Sequence, residues 1–125
     1  MIAYATVGVN DMERAIAFYD AVLAPLGCRR ETTSATWTGY AHEGETGRFF
    51  LTAPYDGKPA SGGNGTMLAF LAPTRAAVDG FHAAALASGG VDEGPPGVRA
   101  GMNPVFYAAY VRDPDGVKLC AFVRK

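Results

Sequence analysis

The sequence predicts an α+β fold made of two consecutive β-α-β-β-β halves, and three observations predict it. The first is an internal repeat. Tyr4 to Gly27 (YATVGVND, then MERAIAFYDAVLAPLG) recurs 63 positions later, without a gap, as Met67 to Gly90 (MLAFLAPT, then RAAVDGFHAAALASGG). The shift places Phe18 on Phe81, Ala21 on Ala84, Leu23 on Leu86, Ala24 on Ala87 and Gly27 on Gly90. Asp11 lands on Thr74, and both carry a side-chain oxygen that can accept from the open N–H groups of a first helical turn. The second observation is one segment rich in Pro, Gly and Ser, Pro54 to Gly65 (PYDGKPASGGNG), which divides the chain into halves of similar length. The third is that short β-rich segments follow each helical stretch.

Taken in order, Ile2 to Val9 has strand composition. Ala3, Ala5, Val7 and Val9 fall on one face, Ile2, Tyr4, Thr6 and Gly8 on the other. Asn10-Asp11 breaks the strand and caps a helix. Ala15, Phe18, Tyr19, Val22 and Leu26 then recur at three-and-four spacing, the stripe of a helix packed on a sheet. Pro25 sits near its end and Gly27 terminates it. Cys28 to Thr33 and Ala35 to Ala41 read as strands, His42 to Gly47 as a polar turn, and Arg48 to Ala53 (RFFLTA) as the fourth strand.

Thr66 to Ala72 and Thr74 to Ser88 repeat the strand and helix. Val91 to Ala100 is broken by Gly and Pro, which predicts a ragged edge strand or a loop. Pro104 to Arg112 and Val117 to Arg124 read as strands joined at Asp113-Pro114-Asp115-Gly116 by a tight hairpin turn. In such a fold each helix covers the outer face of a four-stranded sheet, and the inner faces can curve together around a cavity for a small ligand.

At 125 residues the chain is expected to form one domain, with a first module over 1–54, a linker over 55–65 and a second module over 66–125. The composition is 49% hydrophobic and 18% charged with a net charge of −1, which gives no electrostatic basis for nucleic-acid or anionic-membrane binding. There is no apolar run of roughly 18 residues, and MIAYATVGV lacks a charged region followed by a cleavage site. A soluble, cytoplasmic protein is expected. Cys28 and Cys120 have no metal or redox spacing and read as small hydrophobes.

VGVNDMERAIAFYDAVLAPLG near the start, FLAPTRAAVDGFHAAALASGG in the middle and YAAYVRDPDGVKLCAF at the end resemble the vicinal oxygen chelate superfamily, also called the glyoxalase, bleomycin-resistance and extradiol dioxygenase family. The resemblance covers most of both halves. It implies two βαβββ modules forming a cup-shaped mixed sheet with the helices on the outer face, usually in a homodimer. In metal-using members it also implies a divalent metal held by one residue from the first and last strand of each module. Carried over, those positions are Tyr4, Phe50 or its neighbour, Met67 and Cys120. Such metals need carboxylate, imidazole or thiolate donors. Phenol, thioether and phenyl are poor or null substitutes and one thiol makes no site, so no metal and no other cofactor is expected.

Strand parity places Tyr4, Thr6, Phe50, Thr52, Met67, Ala69, Leu71, Cys120 and Phe122 in the cup. A two-residue turn at Pro114-Asp115 pairs Cys120 with Ala109 and Phe122 with Tyr107, adding Tyr107 and Lys118 to that face, with Arg48 and Lys118 at the rim. These side chains either bind a ligand or fill a second core. Trp37 and Tyr40 either stack on a flat ligand or pack. His42 could swing in as a general acid or base, or stay an exposed turn histidine. Cys120 is a nucleophile only if its pKa is lowered. His82 takes the position of Tyr19 and reads as a helix-face residue. Three functions follow: a metal-free protein binding a small apolar or aromatic molecule; a lyase, isomerase or dioxygenase-type enzyme with a non-standard site; or a structural or regulatory dimer with a closed cup.

Overall fold

The computed structural model describes residues 1–102 and 105–125. The first half runs β1 (Tyr4–Gly8), α1 (Met12–Leu23), a short 3₁₀ turn (Ala24–Leu26), β2 (Cys28–Thr33), β3 (Trp37–His42) and β4 (Arg48–Thr52). The second runs β5 (Met67–Leu71), α2 (Arg75–Ala87), β6 (Val91–Val98), β7 (Phe106–Arg112) and β8 (Lys118–Arg124). The start expected for β7, at Pro104, lies outside the described residues. The sheets have orders β1-β4-β3-β2 and β5-β8-β7-β6, so the same wiring occurs twice. In each, the first strand runs parallel to the last and the other neighbours are antiparallel.

Both helices start as the repeat requires. The Asp11 side chain accepts from the Arg14 N–H and the Thr74 side chain from the Ala77 N–H, both at 3.1 Å. Such a cap contributes ~1 kcal/mol. One face of α1 buries Ala15, Phe18, Tyr19, Val22 and Leu23, and one face of α2 buries Ala77, Val78, Phe81 and Ala85. They join Val7, Phe49 and Leu51 of the first sheet and Val111, Leu119, Ala121 and Val123 of the second in one core cluster. Each large apolar side chain so buried contributes roughly 1.5–3 kcal/mol. Alternation along the strands then leaves the opposite face of each sheet without a helix.

The turn between β7 and β8 differs from the two-residue reading. The Asp113 N–H donates to the Val117 carbonyl at 2.9 Å, which leaves a three-residue loop, Pro114-Asp115-Gly116. Gly116 closes it at φ 90°, a conformation that favours glycine. The Asp113 carboxylate accepts from the N–H groups of Asp115 and Val117, both at 2.9 Å. Tyr110 therefore pairs with Cys120, and Ala108 with Phe122. One residue of register exchanges the faces. Tyr107 points to the helix side, where its O–H donates to Asp79 at 2.6 Å and Arg75 lies 4.9 Å from its ring centre. Tyr110 takes the open face.

β6 is a ragged strand with irregularities between Asp92 and Gly94 and between Gly94 and Gly97. The connection between Thr52 and Met67 has neither helix nor strand, yet it is pinned. The Ala60 N–H donates to Asn10 Oδ1 at 2.7 Å, and Asn10 Nδ2 donates to Asp115 Oδ1 at 2.9 Å. Gly62 lies so close to the turn that an added Cβ would stand 2.0 Å from the Gly116 oxygen. Among the described residues, no helix is long and apolar enough to cross a membrane.

Candidate functional site

The open faces carry most of the residues singled out by sequence. In the first sheet Thr6, Phe50 and Gly39 lie side by side across β1, β4 and β3. The Phe50 ring meets Tyr4 edge-on at 5.5 Å and stacks on Trp37 at 4.7 Å. Gly39 makes room for it, since a Cβ there would fall 2.7 Å from the ring. Tyr4 is 59% and Trp37 37% exposed, so this aromatic cluster faces outward. Arg48, beside Tyr4 on the neighbouring strand, is tied by its Nε to Glu31 and by Nη1 to the carbonyls of Glu45 and Gly47.

The corresponding row of the second sheet is Ala69, Cys120 and Tyr110. Tyr110 stands directly opposite Cys120 across the ladder. Above the Tyr110 ring stand the Arg99 guanidinium, 5.0 Å from its centre, and the Lys118 ammonium at 5.6 Å. Arg99 Nη2 donates to the carbonyls of Gly94, Pro95 and Ala108, which straps β6 to this face. Phe122 stacks on Phe106 at 5.1 Å, and Met67 stays exposed on the edge strand. Burial pushes the Cys120 thiol up; the Tyr110 hydroxyl and the charges of Arg99 and Lys118 oppose it without reversing it. The neutral thiol is thereby favoured, the unreactive form.

The structure thus gathers Tyr4, Thr6, Trp37 and Phe50, with Arg48 beside them, on the first open face. It gathers Met67, Lys118, Cys120 and Phe122 on the second. Tyr107 it places on the other face. Tyr40 is buried on the helix side with its O–H donated to Asp20 at 2.7 Å, so of the pair Trp37 and Tyr40 only Trp37 presents an open ring. His42 ends β3 with Nδ1 3.0 Å from the Glu43 carbonyl and 3.8 Å from Glu45, apart from the aromatic row. His82 pairs with Asp92 at 2.8 Å behind the second sheet. Sequence reading missed Tyr110 and Arg99. A three-residue loop at DPDG would have revealed Tyr110 opposite Cys120; no local signal marks Arg99.

The four positions carried over for a metal, Tyr4, Phe50, Met67 and Cys120, all lie on strands β1, β4, β5 and β8 and on the open faces. Their donor chemistry does not fit a divalent metal. No group of three or more His, Cys, Asp or Glu able to hold an ion occurs among the described residues.

A cavity of about 510 Å³ opens between the edge strands β1 and β5. Its walls include Leu23, Leu26, Tyr40 and Phe49 from the first module and Leu68 and Phe70 from the second, and His42, Glu45 and Arg48 stand on its polar side.

The sequence profile of the Glyoxalase/Bleomycin resistance protein/Dioxygenase superfamily matches residues 1–121. A crystal structure of a glyoxalase/bleomycin resistance protein from Albidiferax ferrireducens is 42% identical over 100% of this chain and 99% of that one, with a TM-score of 0.89. A glyoxalase-related enzyme from Fulvimarina pelagi is 18% identical over 98% of this chain and 86% of that one, at a TM-score of 0.76, and shows the fold alone. Glyoxalase I from Zea mays is 25% identical over 98% of this chain but 45% of that one, at a TM-score of 0.71. No curated protein sequence matches the chain. The duplicated wiring, the profile over nearly the whole length and the 42% identity agree, and the chain belongs to the glyoxalase/bleomycin resistance protein/dioxygenase superfamily.

Proposed function

We propose that this protein is a metal-free member of its superfamily that binds a small apolar or aromatic molecule in a cup, and that a second copy of the chain completes the cup. The observation that carries the reading is the content of the four family metal positions: an exposed phenol, a stacked phenyl, a thioether and a protonated thiol. Those groups offer flat apolar contact instead of cation donors. The first open face supplies an aromatic wall in Tyr4, Phe50 and Trp37. The second supplies Tyr110 with two cations above it. Tyr4, Trp37, Met67 and Leu71 are large apolar residues left exposed on or beside these faces, which is the surface a partner copy or a ligand would cover. A cytoplasmic setting belongs to the same proposal.

Trp37 is the only tryptophan, so its emission reports on the first face without labelling. The expected result is a dimer by light scattering, far below one metal equivalent per chain by elemental analysis, and saturable quenching of Trp37 by small aromatic molecules that is lost in Phe50→Ala. A stoichiometric metal would overturn the reading in favour of a metalloenzyme, and a monomer without quenching would overturn it altogether.

A further inference from the structure

We infer that the cavity between β1 and β5, which meets the open faces at Tyr4, Arg48, Ala69 and Leu71, is a second ligand site beside the aromatic rows that takes an uncharged, mainly apolar molecule carrying a hydrogen-bonding oxygen at one end, of the phenol or naphthol class. Its volume, about 510 Å³, falls within the roughly 300–1,000 Å³ of small-molecule sites. Its position follows from the fold. β1 and β5 are each the edge of their own sheet, and no ladder joins them among the described residues. The helix side of the gap is held by Phe49 against Phe70, ring centres 5.4 Å apart, so the walls come from both modules and the space exists only where they meet.

The chemistry of the lining selects the ligand. Most of the lining is apolar or already engaged: the side chains of Leu23, Leu26, Phe49, Leu68 and Phe70 have no polar atoms, and the Tyr40 hydroxyl is committed to Asp20. Burial and the nearby Glu45 hold the Cys28 thiol in its protonated form, so the interior presents no charge. Hydrogen-bonding capacity gathers on one side. Arg48 uses Nε and Nη1 on Glu31, Glu45 and Gly47, and its Nη2 has no hydrogen-bond partner among the described residues. His42 uses Nδ1 on the Glu43 carbonyl, and its Nε2 has none. The Glu31 carboxylate pairs with the Arg48 guanidinium and the Glu45 carboxylate lies 3.8 Å from His42, so this end offers hydrogen bonds without net positive charge. A neutral hydroxyl can pair with either open group, whereas a carboxylate meets Glu45, which lines the same cavity.

The site is tested by titrating the methyl-labelled protein with 2-naphthol and, separately, with 2-naphthoate, following leucine methyl resonances. The expected outcome is saturable shifts at Leu23, Leu26 and Leu68 with 2-naphthol, and at least tenfold weaker binding of 2-naphthoate. Ala5→Phe, which puts a ring into the cavity from β1, should abolish the naphthol shifts, and the exposed Ala3→Trp is the alternative plug should Ala5→Phe fold poorly. Glu45→Gln should narrow the gap between the two probes several-fold, a change that a purely structural role would not produce. Shifts confined to residues around Phe50, Cys120 and Phe122 would overturn this inference while leaving the proposed cup intact. Absence of any shift at millimolar 2-naphthol, or equal affinity for both probes, would overturn it as well.

Discussion

The row Thr6, Phe50, Gly39 in the first sheet and the row Ala69, Cys120, Tyr110 in the second hold the same place in the repeat, yet large and small are exchanged between strands. In the first module the bulk sits on the last strand and glycine lies beside it. In the second the last strand carries the small thiol and its neighbour carries the ring. Both solutions fill the space over the middle of a sheet. They do so with different chemistry: a bare aromatic stack in one, a phenol under two cations in the other. Duplication has kept volume and wiring while the side chains diverged, which is what a packed sheet permits when total volume is preserved.

The helix side gives the largest expected effect. Phe18 and Phe81 are equivalent in the repeat and both fully buried. Phe18→Ala and Phe81→Ala should each destabilise by about 3–5 kcal/mol in chemical denaturation. Similar losses would show that the two half-cores have stayed energetically equal. A loss at one position less than half that at the other would break the comparison at the pair that residue type and burial make equivalent.

One helical turn position separates the modules next. Tyr19 and its repeat equivalent His82 each reach a carboxylate, but Tyr19 is fully buried on Asp113, and His82 sits on the half-exposed Asp92. Tyr19→Phe removes a donor from a buried acceptor and should cost about 1–3 kcal/mol. His82→Ala should cost clearly less, because water can replace the imidazole at Asp92. Thermal melts of the two variants side by side check the order.

The open faces predict a subtler asymmetry. Gly39→Ala presses a Cβ against the Phe50 ring and should destabilise by about 1–3 kcal/mol while blunting Trp37 quenching by aromatic ligands. Tyr110→Phe keeps the ring under Arg99 and Lys118 and removes only the hydroxyl. It should cost only about 0.5–1.5 kcal/mol and leave the Trp37 response intact.

These residues also mark how far the sequence could be read. The repeat, the capped helices and the buried stripe of Ala15, Phe18, Tyr19 and Val22 were legible because amphipathic periodicity and helix termini are local properties. Thr6, Phe50 and Met67 were legible on the open faces because alternation runs unbroken along β1, β4 and β5. Tyr107 and Tyr110 were not, because their side of β7 depends on one residue of loop length at Pro114-Asp115-Gly116. The carboxylate of Asp113 stabilises that loop by accepting two backbone N–H groups. Arg99 was invisible for another reason. It acts across a strand whose irregularities at Gly94 and Gly97 break any period, and its partners are backbone carbonyls that no side-chain pattern encodes.

The smallest effect, and the sharpest on the pair Tyr19 and His82, is the pH response of their carboxylates. Burial, reinforced by the charge of Asp115, raises Asp113 above its ordinary value despite the hydrogen bonds from Tyr19 and two N–H groups. The folded chain therefore holds that proton to higher pH than the unfolded chain. Its contribution is fully present below the unfolded pKa and is lost as pH rises through the folded one. Asp92 behaves oppositely: the hydrogen bond from His82, then that from the Gly94 N–H, lowers it. Its contribution is present above the unfolded pKa and is lost as pH falls through the folded one. Carboxyl ¹³C titration should place the Asp113 midpoint above the ordinary aspartate value of about 3.9 and the Asp92 midpoint below it. Asp113→Asn should then remove only the decline on the higher-pH side of that value, and Asp92→Asn only the decline on the acid side. Coincident midpoints would mean that the two modules solve the burial of a helix-facing partner in the same way, and the contrast between Tyr19 and His82 would reduce to packing alone.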